Sequence, residues 1–411
     1  MALEFHKLTD QVDKMGQALA SQKTDLDVKT KIALQILEAY ADEAFLPAIQ
    51  QRVQDAITKD AGYRGARPLD EPLMAVYPAA PLPETATVIA CDGSQIAPNT
   101  HGAALYYLLN IGTIIVHHGS GDPPEIVSQP YLFYEPEYLY TQERGLITPT
   151  VVAARRTVSE MAAIAEHAWR QRDEARPMLA LFDGSLLILG ISSEVPDRDE
   201  LYGIYFSAMT RLIEVQAGLA GYIDRPRSSF IVGLLHLLDL SEEMVSRSAL
   251  ATNGRIEGLY DTHVFRSLLQ PSERTALFVQ MSPQNKEFRR SGGDTHEIAF
   301  FYVNVAAPGE AAHLARIEIP MWVANNRQLV AELQALIYHQ CQQLASRYPY
   351  VLTRADELAV VKGEEARQLN ILIQVALKRH GLDSAESEKQ ATKEAARSRK
   401  TRFKIGQTSG G

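Results

Sequence analysis

The sequence predicts an α/β protein, and three observations carry the prediction. Short apolar runs of strand length, at 87–91 and 178–182, each lead into the same triplet, Asp-Gly-Ser. Longer segments around them, such as 149–172 and 328–347, repeat their apolar residues at helical spacing. No repeat of fixed period runs through the chain, which sets solenoids and propellers aside.

In order along the chain, residues 24–58 read as one long helix, with Ile32, Ile36, Leu37, Tyr40, Phe45 and Ile49 at helical spacing. The Pro- and Ala-rich stretch 67–83 reads as a connector. A buried strand over 87–91 ends at Asp92, and extended structure follows at 103–117 and 126–134. A helix covers 149–172, and a second buried strand, 178–182, ends at Asp183. Next come a helix (200–219), a strand (220–223) and a helix (230–238). Segments 247–258 and 284–295 lack periodicity and read as loops. Strands at 300–305 and 315–319 lead to a turn at Pro320. Helices over 328–347 and 354–377 are then parted by Tyr348-Pro349. The expected organisation is an N-terminal helical extension and connector (1–84), an α/β domain (85–380) and a basic tail (381–411) expected to be disordered.

Composition narrows the function. The 411 residues carry a net charge of −9, yet residues 384–411 hold seven basic and three acidic side chains, which leaves the body strongly acidic. Such a body argues against a broad DNA-binding face, so a polyanion must be met by a local groove or by bound cations. Only Cys91 and Cys341 are present, too few for a disulfide scaffold or a cysteine zinc site. No apolar run reaches bilayer length, and the N-terminal stretch carries Glu4, Asp10 and Asp13, unlike a secretory signal. The expectation is a soluble cytoplasmic protein with no membrane partner.

The chemistry centres on Asp92-Gly93-Ser94 and Asp183-Gly184-Ser185. Either triplet alone fits a hairpin turn between apolar runs. Together they place two carboxylates at strand ends, where they repel each other unless a cation sits between them. An oxygen-rich set of this kind suits Mg²⁺ or Mn²⁺, and such sites cleave phosphodiesters. The element order, with a strand ending in Asp, two further strands, a helix, a second strand ending in Asp and a late helix, is that of a ribonuclease H-like core: a mixed sheet flanked by helices. That fold adds one acid from the intervening helix and one from the late helix. Glu160 and Glu166 are the candidates on the first; six residues apart, they point about 120° from each other, so both cannot face one site. Asp356 is the candidate on the second.

Five stretches then resemble the NurA nuclease family: 88–96 (VIACDGSQI), 106–112 (YYLLNIG), 180–187 (ALFDGSLL), 315–324 (ARIEIPMWVA) and 348–361 (YPYVLTRADELAVV). They stand in family order across roughly residues 85–375. The resemblance implies a ribonuclease H-like fold and Mn²⁺-dependent (or Mg²⁺-dependent) DNA cleavage. It also implies 5′-to-3′ exonuclease and single-strand endonuclease activity in DNA end processing and double-strand break repair. A homodimer docked on a HerA-type hexameric ATPase is implied as well. Asp92 and Asp183 match the metal-binding aspartates, and Glu160, after Arg155-Arg156, is favoured over Glu166 as the helical glutamate. Asp356 falls where some members carry a histidine ligand; a carboxylate there would favour a harder cation. The expected catalytic and metal-binding set is therefore Asp92, Glu160, Asp183 and Asp356.

Other features have plainer readings. Tyr131, Phe133, Tyr134, Tyr138 and Tyr140 suit strand packing or stacking on single-stranded bases. Arg225 and Arg227, around Pro226, suit a solvated turn or phosphate contacts, and Arg289-Arg290 suit solubility or DNA steering. His117-His118 reads as a surface pair, and Arg316 with Glu318 as an ion pair on one face of a strand. An actin-like ATPase would need Gly/Thr-rich phosphate loops that the chain lacks, and no Walker-type Gly-Lys-Ser/Thr is present. The alternative that stays open is a non-catalytic adaptor of the same fold that regulates a DNA-translocating ATPase.

Overall fold

The structure is a computed structural model that describes residues 5–141, 144–188, 195 and 197–382. The expected basic tail therefore lies outside the described residues from 383 onward. The chain opens with α1 (Thr9–Ala39) and α2 (Leu46–Lys59), followed by the short strands β1 (Ala66–Pro68) and β2 (Val76–Tyr77). Then come β3 (Ala86–Ile96), β4 (Tyr107–His118), β5 (Glu125–Phe133), α3 (Pro136–Leu139), α4 (Pro149–Arg170) and β6 (Met178–Asp183). The middle holds α5 (Arg198–Glu214), β7 (Gly218–Ile223), α6 (Phe230–Asp239), α7 (Asp261–Phe265), β8 (Arg274–Thr275), β9 (Phe278–Gln280) and α8 (Pro283–Gly292). Last are β10 (Ile298–Asn304), β11 (Leu314–Pro320), α9 (Met321–Ala324), α10 (Arg327–Gln342), α11 (Tyr350–Ala359) and α12 (Gly363–Arg379).

One mixed sheet runs through the fold in the order β1-β9-β10-β11-β7-β6-β3-β4-β5, with β2 and β8 paired off its side. Its half β5-β4-β3-β6-β7 has β4 antiparallel to both neighbours and β3, β6 and β7 parallel, the arrangement that a ribonuclease H-like core requires. Side chains along a strand alternate between faces, so each strand feeds two cores. Ile89, Cys91, Ala180 and Phe182 pack under α4 and α5. Val88, Ala90, Leu179 and Leu181 join the larger core that includes α6, α10, α11 and the buried parts of α1 and α2.

Four expectations are corrected. The long helix over 24–58 is two helices, because Asp42 caps the Ala44 N–H and Pro47 starts a new first turn. The strand expected to stop at Asp92 continues to Ile96, with Gly93 and Ser94 paired to Ile111 and Asn110, so this Asp-Gly is no turn. The loop expected at 284–295 contains α8, capped by the Ser282 hydroxyl on Asn285 N–H, with Pro283 in its first turn. The helix expected over 354–377 is α11 and α12, parted at 360–362. Its first half stops where the Ala359 carbonyl accepts from Asn110 Nδ2 at 2.9 Å and from the Ser94 hydroxyl instead of continuing the helix.

Candidate active site

The four expected acids converge at the centre of the sheet. Asp92 lies inside β3 and Asp183 is the last residue of β6, on adjacent parallel strands in which Cys91 pairs with Phe182. By strand alternation both side chains face the α11 side, where Asp356 shares a hydrogen bond with Asp92. Glu160 comes from α4, on the opposite face, and is buried. It reaches the cluster past Gly93: a Cβ at that position would stand 2.6 Å from Glu160 Oε1. Asp92, Glu160 and Asp183 line a common cleft of about 460 Å³ with Arg156, Ser185 and Phe182. Glu166, the rival helical candidate, points away and pairs with Arg170 at 3.0 Å and Arg211 at 2.6 Å.

The acids repel each other. Burial first, then the Asp183 and Asp356 charges, push Asp92 up to about 6 against the Gly93 N–H that favours its ionised form. Burial pushes Glu160 up to about 8, with Asp92 and Asp183 adding to it and Arg156 opposing. Asp183 is raised by loss of water around its carboxyl, with Asp356 and Asp224 contributing, although Tyr348 donates to it. The Arg156 Nε stands 3.1 Å from Glu160 Oε1 but off the hydrogen-bond angle, so this buried oxygen has no hydrogen-bond partner.

Residues outside the four acids hold this arrangement, and sequence reasoning gave none of them this role. The Tyr348 hydroxyl donates to Asp183 Oδ1 at 2.6 Å. Glu318, fully buried, accepts from the Ser185 hydroxyl at 2.8 Å and the Leu186 N–H at 2.9 Å, which ties down the loop after Asp183. Arg316 donates to its other oxygen at 2.7 Å; the expected ion pair forms, and it carries the Asp183 loop. Helix α11 lies against β4 at Gly112, where a Cβ would meet Ala359 N at 2.6 Å and Ala355 O at 2.7 Å. Gly112 is the register partner of Asp92, so one close approach sets Asp356 beside Asp92.

The remaining sequence features separate. His117 pairs with Glu125 at 3.0 Å and His118 packs on His339, at the end of β4 that pairs with the start of β3 and away from Asp92. Arg289 and Arg290 sit in α8, paired with Asp294 and Glu287. Of the aromatic run, Phe133 stacks on Tyr107 at 4.5 Å, whereas Tyr131, Tyr134, Tyr138 and Tyr140 are exposed.

Among the described residues no group of three or more His, Cys, Asp or Glu side chains is arranged to hold a metal ion as it stands. The chemistry of the donors nevertheless fits a hard divalent cation: all are carboxylates, their charges raise the pKa of Asp92 and Glu160, and one buried oxygen makes no hydrogen bond. No helix among the described residues is long and apolar enough to cross a membrane.

Comparisons with known proteins place the chain. No curated protein matches it. Among solved structures, the crystal structure of the NurA nuclease from Sulfolobus solfataricus is similar, at 14% identity and a TM-score of 0.44, over 81% of this chain and 92% of that one; at that level it carries no argument about function. A family model described as the NurA domain matches residues 86–361, a span that runs from β3 through α11 and includes all four acids. With two thirds of its length matched, the chain belongs to the NurA family.

Proposed function

We propose that this protein is a metal-dependent deoxyribonuclease of DNA end processing and double-strand break repair. The observation that carries this reading is the convergence of Asp92, Glu160, Asp183 and Asp356 from three structural layers into one repulsive carboxylate cluster. A protein gains nothing in stability from such a cluster, and its use lies in what it binds. Asp92 and Asp183 would hold the cation, with Glu160 and Asp356 completing the oxygen set; Mn²⁺ is the favoured ion and Mg²⁺ the alternative. When bound, a divalent ion supplies charge to a scissile phosphate and acidifies the attacking water.

The chain's own residues do the positioning. The Tyr348 hydroxyl occupies Asp183 Oδ1 and leaves the other oxygen free to face the cleft. Glu160 holds its proton near neutral pH in the metal-free protein, so it is a group able to exchange a proton inside the cleft. The reaction requires no side-chain nucleophile, because water can serve. Family membership supports the finer parts of the reading: 5′-to-3′ exonuclease and single-strand endonuclease activity, a homodimer, and a HerA-type hexameric ATPase as partner.

The test is cleavage of end-labelled single- and double-stranded DNA with Mn²⁺, Mg²⁺ or EDTA, comparing the wild type with Asp183→Asn. Products that need metal and disappear in the variant, by a factor of roughly 10³ or more, are expected. The label's position gives the polarity. A folded wild type that cuts nothing, even with its ATPase present, would move the protein to the adaptor role.

A further inference from the structure

Two arginines near the acidic cluster have backbones in the left-handed region: Arg225 at φ +43° and Arg347 at φ +58°. Arg347 is engaged, its guanidinium bonded to Glu310 at 2.7 and 2.9 Å. Arg225 has its side chain 79% exposed, and among the described residues its ion-pair contact is the adjacent Asp224 carboxylate, at 3.7 Å. Its conformation is unfavourable, because a bulky residue seldom takes positive φ. The strain is held from both sides: Pro226 is buried, and Asp224 is fixed by His313 Nε2 at 2.6 Å. A strained residue kept in place while its charge faces solvent is a pattern of binding sites.

The sheet register says what that charge is near. Tyr222 on β7 is the direct partner of Asp183 on β6, and Arg225 lies three residues further along. At about 3.3 Å per residue and about 4.8 Å between strands, a straight continuation of β7 would put its Cα about 11 Å from that of Asp183, past the carboxyl end of the strand. An extended arginine bridges most of that gap. The protein as a whole is acidic, at −9, so a polyanion must find its cations locally. Asp224, the acid beside Arg225 in sequence, is already hydrogen-bonded to the His313 ring.

We propose that Arg225 clamps the DNA phosphate neighbouring the one to be cut, its backbone set in advance by the Asp224-Arg225-Pro226 turn. The inference rests on the nuclease reading and adds a substrate-binding residue to it.

The experiment uses the full chain and a fluorescein-labelled oligothymidylate. Binding is followed by anisotropy in EDTA over a series of NaCl concentrations, and cleavage is then measured with Mn²⁺. Arg225→Ala is expected to weaken binding about ten-fold at low salt and to flatten the plot of log affinity against log salt by about 0.7, one single-strand phosphate contact. Arg225→Lys should keep the slope. Arg225→Gly should bind like the alanine variant while melting no lower than the wild type, since glycine relieves the strain. Wild-type affinity and slope in Arg225→Ala, from an enzyme that still cuts with Mn²⁺, overturns the clamp and leaves the nuclease standing. A glycine variant that loses binding and also melts well below the wild type overturns it too, as a structural role. A wild type that binds no oligothymidylate and cuts nothing, even with its ATPase added, overturns both readings.

Discussion

A methyl group added at Gly93 would stand 2.6 Å from Glu160 Oε1 and 2.8 Å from Arg156 Cγ. Of the four acids, the one that approaches from the α4 side therefore depends on a missing side chain in β3. Gly93→Ala should leave the sheet paired, cost about 1–3 kcal/mol of stability through overpacking, and push Glu160 out of the cleft. Cleavage should drop by two orders of magnitude or more, roughly as if Glu160 itself were removed. Denaturant unfolding and a cleavage assay on the same preparation check this; near wild-type cleavage would mean that Glu160 is dispensable. Glu318 shows the other kind of dependence. It is buried without exposure, and its two oxygens serve Arg316, the Ser185 hydroxyl and the Leu186 N–H. Glu318→Ala leaves Arg316 as a buried charge without its carboxylate, at a cost of about 3–5 kcal/mol. Ser185→Ala removes one bond and should cost about 1 kcal/mol. If both variants lose cleavage in proportion to stability alone, the loop after Asp183 needs no anchor.

At the scale of elements, α11 is carried to the site by β3 and β4 together. Ser94 and Asn110, a cross-strand pair, hold the Ala359 carbonyl, and Gly112 lets the helix backbone close on the sheet. Gly112→Val should lift α11 off β4 and draw Asp356 away from Asp92 while the α4 side stays packed. The expected result is loss of the Mn²⁺-induced rise in melting temperature together with cleavage, at a stability cost of about 1–3 kcal/mol. A Gly112→Val protein that keeps its metal response would show that Asp356 is no part of the ion site. The same helix marks what could be read in the sequence. Local signals were legible: the apolar runs before Asp92 and Asp183, the period of α4, and the element order that implies a ribonuclease H-like sheet. The contacts of Tyr348 with Asp183, Glu318 with Ser185 and Asn110 with Ala359 span 165, 133 and 249 residues, and nothing local to either partner announces them. Gly93-Ser94 was misread because Asp-Gly has the same local chemistry in a turn as in a strand; only the pairing to Ile111 and Asn110 decides. The α11–α12 break escaped for the same reason, since the groups that end α11 come from two distant strands.

At the scale of the whole molecule, the acidic cluster sets the sign of one part of the response to pH. Glu160 is raised to about 8 in the fold from an ordinary value of 4.5, and Asp92 to about 6 from 3.8. An acid whose pKa is higher folded than unfolded gives its full stability below the unfolded value and loses it as pH rises through the folded one. For buried Glu160 the loss is about 1.4 kcal/mol per pH unit across its window. Several histidines oppose this: burial lowers His167, His263, His296 and His339, so protonating them destabilises the fold in acid. A single melting curve therefore mixes two signs, and the informative quantity is the difference between the wild type and Glu160→Gln. Without metal, the variant should melt higher than the wild type near pH 8, and the gap should close as pH falls towards 4.5, where the carboxyl is protonated in the unfolded chain as well as in the fold. With saturating Mn²⁺ the gap should reverse above pH 7, because the ionised carboxylate then gains a partner that glutamine replaces poorly. A gap that keeps its sign when Mn²⁺ is added would mean that the cluster binds no cation through Glu160, and the nuclease reading would then have to stand on Asp92, Asp183 and Asp356 alone.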